Sequence, residues 1–186
     1  KMGMPSETRY KTVYQYNKVP ILSGDMIKLQ EIAGDCRSVR NYVYERYGGI
    51  GGLSKIYPGY SAQNEMTRSG LREQMGLPSV YFYLSIFEAL EDIRSQWSRT
   101  KNRIEQNIRA NTAFTPEDRH YLRFVMRQRR CFEAVLTGSK MELSADWRQS
   151  YEELCTHVNV PRLDQYLRRQ VRRHLRKPHT YSADGF

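Results

Sequence analysis

The sequence predicts a mainly α-helical protein, a helical bundle of five or six helices with a minor β element. Three observations carry this. Apolar residues recur at three- and four-residue spacing through most of the chain after Ser23. Helix-start and helix-stop residues punctuate those stretches at regular intervals. Only one stretch, 9–19, alternates with the period of a strand. A length of 186 residues suits one domain with a small appendage. The expected organisation is a basic strand segment at 1–22, a helical domain at 23–178, and a further strand or tail at 179–186.

Taken in order, Tyr10, Thr12, Tyr14 and Tyr16 share one face of the expected strand, which Pro20 ends. A lone strand is unstable, and residues 180–186 are its candidate partner. Residues 25–47 read as a helix with Ser23 as N-cap, its stripe formed by Leu29, Ile32, Cys36, Val39 and Val43. The glycine-rich stretch 48–59 lacks the phosphate-loop pattern and a preceding apolar strand, so it reads as a flexible loop. A short helix at 62–74 is closed by Gly76. The longest helix opens at Ser79 and carries Tyr83, Phe87, Leu90, Ile93, Trp97, Ile104 and Ile108 along one stripe to about Asn111. Thr115, Pro116, Glu117 and Asp118 start a helix expected to run to Leu136 and to stop at Gly138. Residues 144–157 form the next helix, with Trp147, Tyr151 and Leu154 inward. The last spans 160–178.

Charge is distributed unevenly. The chain has 30 basic and 20 acidic residues, a net charge of +10, and half of that excess lies in residues 162–186. In the last helix Leu163, Tyr166, Leu167, Val171 and His174 face one side. Arg168, Arg169, Arg172, Arg173 and Arg176, followed by Lys177, form a basic row on the other. A row of guanidinium groups with only Asp164 nearby must meet anions, and nucleic acid is the leading partner. The helix from Thr115 repeats this design, with Arg119, Arg123, Arg127 and Arg130 at spacings of four, four and three. Tyr121, Leu122, Val125, Phe132, Val135 and Leu136 lie opposite. Arg37, Arg40, Asn41 and Tyr44 form a third candidate cluster, since Arg and Asn can read base edges bidentately.

Other classes find less support. The three cysteines Cys36, Cys131 and Cys155 are unpaired by spacing, which favours free thiols and a cytoplasmic setting. No zinc-ligand pattern is complete, and no metal or cofactor is expected. An acidic membrane surface is a second polyanion, but no apolar run approaches transmembrane length, and no membrane partner is expected. The patterns HExxH and GxSxG are missing. Arg169 and His174 have the Arg-x4-His spacing used by all-helical ribonucleases of the HEPN class, so a metal-independent ribonuclease is one alternative. A basic module that docks an acidic protein is another.

Several of these pieces, in this order, resemble the N-terminal half of TnpB-type transposon-encoded RNA-guided nucleases and the compact type V CRISPR effectors descended from them. The resemblance is carried by the basic segment ending at Pro20, by Gly34, Arg37 and Asn41 in GDCRSVRNYVYE, by LPSVYFYLSIFEALEDIRSQWSRTKNRI, and by RLDQYLRRQVRRHLRKP. It implies a wedge strand followed by a helical recognition lobe. In that family the catalytic domain, with its three carboxylates and zinc ribbon, lies downstream. This chain stops before it, so the resemblance implies a fragment or natural truncation that binds without cleaving. Its implied partners are guide RNA, target DNA and the missing catalytic half. Carried over by position, Arg37, Arg40 and Asn41 would lie near guide RNA or the target-flanking duplex. The Arg168–Arg176 face would hold the guide–target heteroduplex or the guide scaffold by its backbone.

Overall fold

The computed structural model describes residues 18–180. These form eight α-helices: α1 (Ser23–Tyr47), α2 (Tyr60–Arg68), α3 (Leu71–Met75), α4 (Ser79–Ala110), α5 (Pro116–Arg127), α6 (Arg129–Thr137), α7 (Ala145–Thr156) and α8 (Val160–His174). No strand occurs among the described residues. The expected strand at 9–19 lies outside them except for Lys18 and Val19, which form a bend, and 181–186 lie outside them entirely.

Helix α4 is the axis of the bundle. Phe82, Ile86, Ala89, Leu90, Ile93, Trp97, Ile104 and Ile108 follow its 3.6-residue period and are closed to solvent. Helix α1 packs along its first half and runs parallel to it: Arg40 pairs with Glu88 at 3.2 Å, and one turn later the Tyr44 hydroxyl donates to Asp92. Helix α8 packs on its second half in the opposite sense. Asn107 meets Gln170 and His174; beyond the helix Lys177 reaches Glu45, and Thr180 reaches Asn41 farther back along α1. The Phe132 ring of α6 meets Trp97 edge to face at 6.1 Å, and Leu163, Leu167 and Val171 of α8 complete the core.

Several elements differ from expectation for identifiable reasons. Leu22, not Ser23, is the N-cap of α1, and no side chain caps it. The stripe of α1 is partly buried at Ile32 and Cys36 and closed to solvent only from Val39; Leu29 is half exposed because α1 begins well before the start of α4. Phe87 is 42% exposed, and Phe82 and Ile86 take the core positions assigned to Tyr83 and Phe87. The helix expected at 62–74 is two helices, separated at Gly70, whose positive φ of 72° suits glycine. The loop at 48–59 contains a 3₁₀ turn, Ile50–Gly52. Arg94 of α4 clamps that loop, donating to Ile56 O at 2.8 and 2.9 Å and to Pro58 O at 2.8 Å.

The helix expected at 115–136 divides at Gln128, which is extended. Lys101 of α4 donates to Met126 O, a carbonyl left open at the end of α5. Thr115 does cap α5, in a reciprocal box with Asp118. In α7 Tyr151 and Leu154 are partly buried against the core, but Trp147 is 47% exposed. All three cysteines are free thiols, and burial pushes Cys131 and Cys155 up. Among the described residues no helix is long and apolar enough to cross a membrane, and no group of His, Cys, Asp and Glu could hold a metal ion.

A buried polar pair ties α5 to α8. The Tyr121 hydroxyl, closed to solvent, donates to Asp164 Oδ1 at 2.8 Å. Burial raises the Asp164 carboxyl above its usual range, while the Tyr121 bond and Arg168 draw it back. A raised carboxyl favours the fold below its unfolded pKa, and that contribution fades as pH rises through the folded value. Tyr121→Phe removes the donor from the ionised form, so it should destabilise the protein by about 1–3 kcal/mol at neutral pH. Urea unfolding should find a smaller penalty once Asp164 is protonated; a pH-independent penalty would assign the effect to packing instead.

Candidate nucleic-acid interface

Helix α8 is held by both of its ends and by its apolar seam. Asn159 caps it, the side-chain oxygen accepting from Arg162 N at 3.1 Å, and Pro161 follows in the first turn. Arg162 meets Asp118 at 2.6 Å and lies over the Phe114 ring. With Leu163, Leu167 and Val171 seated in the core, the helix cannot rotate, and Arg169, Arg172 and Arg173 are held outward; α8 ends at His174 rather than at 178, because Leu175 is extended, so the exposed Arg176 follows the helix instead of lying on it. None of these four has an ion-pair partner among the described residues.

The remaining residues of the basic row behave differently. Arg168 turns inward, and its Nε donates to Val135 O at 2.7 Å, satisfying a carbonyl at the end of α6. Lys177 donates to Glu45 O and Glu45 Oε2 at 3.2 and 3.0 Å and fastens the segment after α8 to α1.

The second expected row is interrupted by the break at Gln128, which puts Arg130 on a different helix from Arg119, Arg123 and Arg127. Arg119 donates to Asn111 O at 2.9 Å, closing the end of α4. Arg123 is half-buried, and its Nε has no hydrogen-bond partner. Arg127 and Arg130 are exposed. In the third cluster Arg37 is half-buried, Arg40 pairs with Glu88, and the Asn41 side-chain oxygen accepts from Thr180 N and Oγ1 at 3.2 and 2.9 Å. Tyr44 is buried, and its phenol is raised by desolvation and by its bond to Asp92. Arg40, Asn41 and Tyr44 thus join α1 to α4 and to the chain after α8.

The fold adds residues to the α8 face that the sequence did not single out. Asn107 of α4 donates from Nδ2 to Gln170 Oε1 at 2.8 Å, and the same nitrogen faces His174 Nε2 at 3.2 Å. Because Nδ2 carries only hydrogens, the contact requires a neutral imidazole with Nε2 as acceptor. Arg103, Arg173 and Arg176 surround it, and desolvation together with their charge lowers the His174 pKa. This arrangement brings Arg103 to the arginine row, a joining that spacing within α8 cannot reveal. Arg169, the partner of His174 in the ribonuclease spacing, is exposed on the same helix.

Compared with protein-family models, with curated proteins and with solved structures, the chain matches none.

The guanidinium groups around His174 make a direct prediction. Its imidazole should titrate below the ordinary histidine range, and Arg103→Ala should move the titration upward by removing one repelling charge. NMR observation of the His174 ring protons checks this; an unchanged titration in Arg103→Ala would place the guanidinium too far away to matter.

Proposed function

We propose that the chain binds nucleic acid through the exposed face of α8, holding an RNA or an RNA–DNA duplex by its sugar–phosphate backbone. The observation that carries this reading is that Arg169, Arg172 and Arg173, on a helix locked by its buried seam, and Arg176 just beyond its end stand outward without carboxylate partners among the described residues. Such a surface supplies phosphate contacts at fixed spacing and carries no base code, so it suits recognition by shape and charge. The resemblance of the sequence to TnpB-type nucleases supports the narrower reading of a recognition lobe, with guide RNA and target DNA as ligands. In that reading the chain contributes binding, and the chemistry belongs to a separate catalytic domain.

The test is the salt dependence of binding to an RNA–DNA heteroduplex. Alanine at Arg169, Arg172, Arg173 and Arg176 should lower the slope of log affinity against log salt by about 0.7–0.9 for each phosphate that is no longer neutralised. Arg168→Ala should leave that slope nearly intact and lower thermal stability, since this side chain holds the end of α6. A slope unaffected by the four substitutions would refute the proposal. Competition by an acidic protein equal to that by heteroduplex would favour a protein-docking face.

A further inference from the structure

A second surface has different chemistry. Between α5 and α7 lies a groove of about 340 Å³, lined by His120, Arg123, Phe124, Arg127 and Trp147 with Pro116 and Gln128. A hollow of about 430 Å³ continues from it past His120, Phe124 and Trp147 toward His157. The first part has no carboxylate in its lining; Glu117 and Glu153 line only the second. The spaces are of the size that small ligands occupy.

The groove sets an aromatic ring beside guanidinium groups. Trp147 meets Phe124 edge to face at 5.9 Å yet is 47% exposed, so much of its indole is open for stacking. Arg123 and Arg127 have no ion-pair partner among the described residues. An aromatic platform beside unneutralised guanidinium groups is the combination that binds an unpaired base with its phosphate. The α8 face has the arginines without such a platform.

We propose that the α5–α7 groove takes one unpaired nucleotide of a single-stranded nucleic acid, its base against Trp147 and its phosphate on Arg123 and Arg127. This rests on the nucleic-acid reading of the chain and adds a contact that a duplex, with its bases stacked inside, cannot make. The protein would thereby hold a junction, duplex on α8 and single strand at the groove.

The two tryptophans make the test direct, because Trp97 is buried and Trp147 is not. The full chain is titrated with a short oligouridylate, with an abasic strand of equal length and charge, and with polyglutamate, following tryptophan fluorescence and anisotropy. Base-bearing strands should quench the wild-type signal, the abasic strand should bind without quenching, and Trp147→Phe should abolish the quench. Trp147→Ala should weaken oligouridylate binding roughly tenfold. Saturable binding without quenching overturns the proposal and leaves the α8 reading standing. Equal quenching by the abasic strand or by polyglutamate overturns it in favour of a surface for anions or acidic proteins. Quenching that survives alanine at Arg169, Arg172, Arg173 and Arg176 supports the groove independently of α8. No binding to any strand overturns both.

Discussion

Burial of one unbroken seam on α4 is the constraint on which the rest of the structure depends. Phe82, Ile86, Leu90, Ile93, Trp97, Ile104 and Ile108 lie on a single helix of 32 residues, and each is shielded from water. Each such side chain contributes roughly 1.5–3 kcal/mol on burial, far more than any surface ion pair. The seam is too long for one partner, so α1 covers its first half and α8 its second. That division sets the direction of α8: with Leu163, Leu167 and Val171 required inside, its polar residues have nowhere to go but out.

The same constraint separates the arginines into two populations. Those beside the edge of the seam meet acceptors at helix ends and in the loop after α1. Arg94 holds the loop after α1, Arg119 closes α4, Arg162 joins the cap of α5, and Arg168 closes α6. Each supplies donors to groups that would otherwise be costly to desolvate. The residues one position farther around α8 find no such acceptors. Arg168 and Arg169 are adjacent in sequence and opposite in role, because a step of one residue turns a side chain by about 100° around the helix. A basic stripe read from sequence is therefore a mixture, and only the packing sorts it.

Much of the fold is legible in the sequence for this reason, and the failures have a common origin. The periods of α4, α5 and α8, the cap at Thr115 and the stops at Gly76 and Gly138 are local properties, and each is visible in the residues themselves. The break at Gln128 is not, because neither glycine nor proline marks it and the lysine that captures the Met126 carbonyl comes from α4. Hydrophobicity alone sends Phe87 and Trp147 inward, but both lie at edges where neighbouring elements cover them only in part. Tyr44 and Asn41 look like members of a nucleic-acid cluster in isolation; the acceptor at Asp92 and the donors at Thr180 lie 48 and 139 residues away. Arg103 becomes a site residue only when α4 and α8 lie side by side.

The two proposed surfaces also differ in how firmly the fold holds them. Helix α8 has three fully buried side chains, a side-chain cap and a tether beyond its end, so its guanidinium groups are positioned before any ligand arrives. Helix α7 has no buried residue and rests on α5 through Trp147 and Tyr151 against Phe124. An element with so little buried area is drawn from the low end of local stability. A row carried on a fixed helix suits a stiff, repetitive backbone, since only its side chains remain to be ordered on binding. A lightly held aromatic wall suits an unpaired base, whose position varies with the strand that carries it. On this reading α8 supplies most of the affinity, and the α5–α7 groove distinguishes a strand that has left its duplex from one that has not.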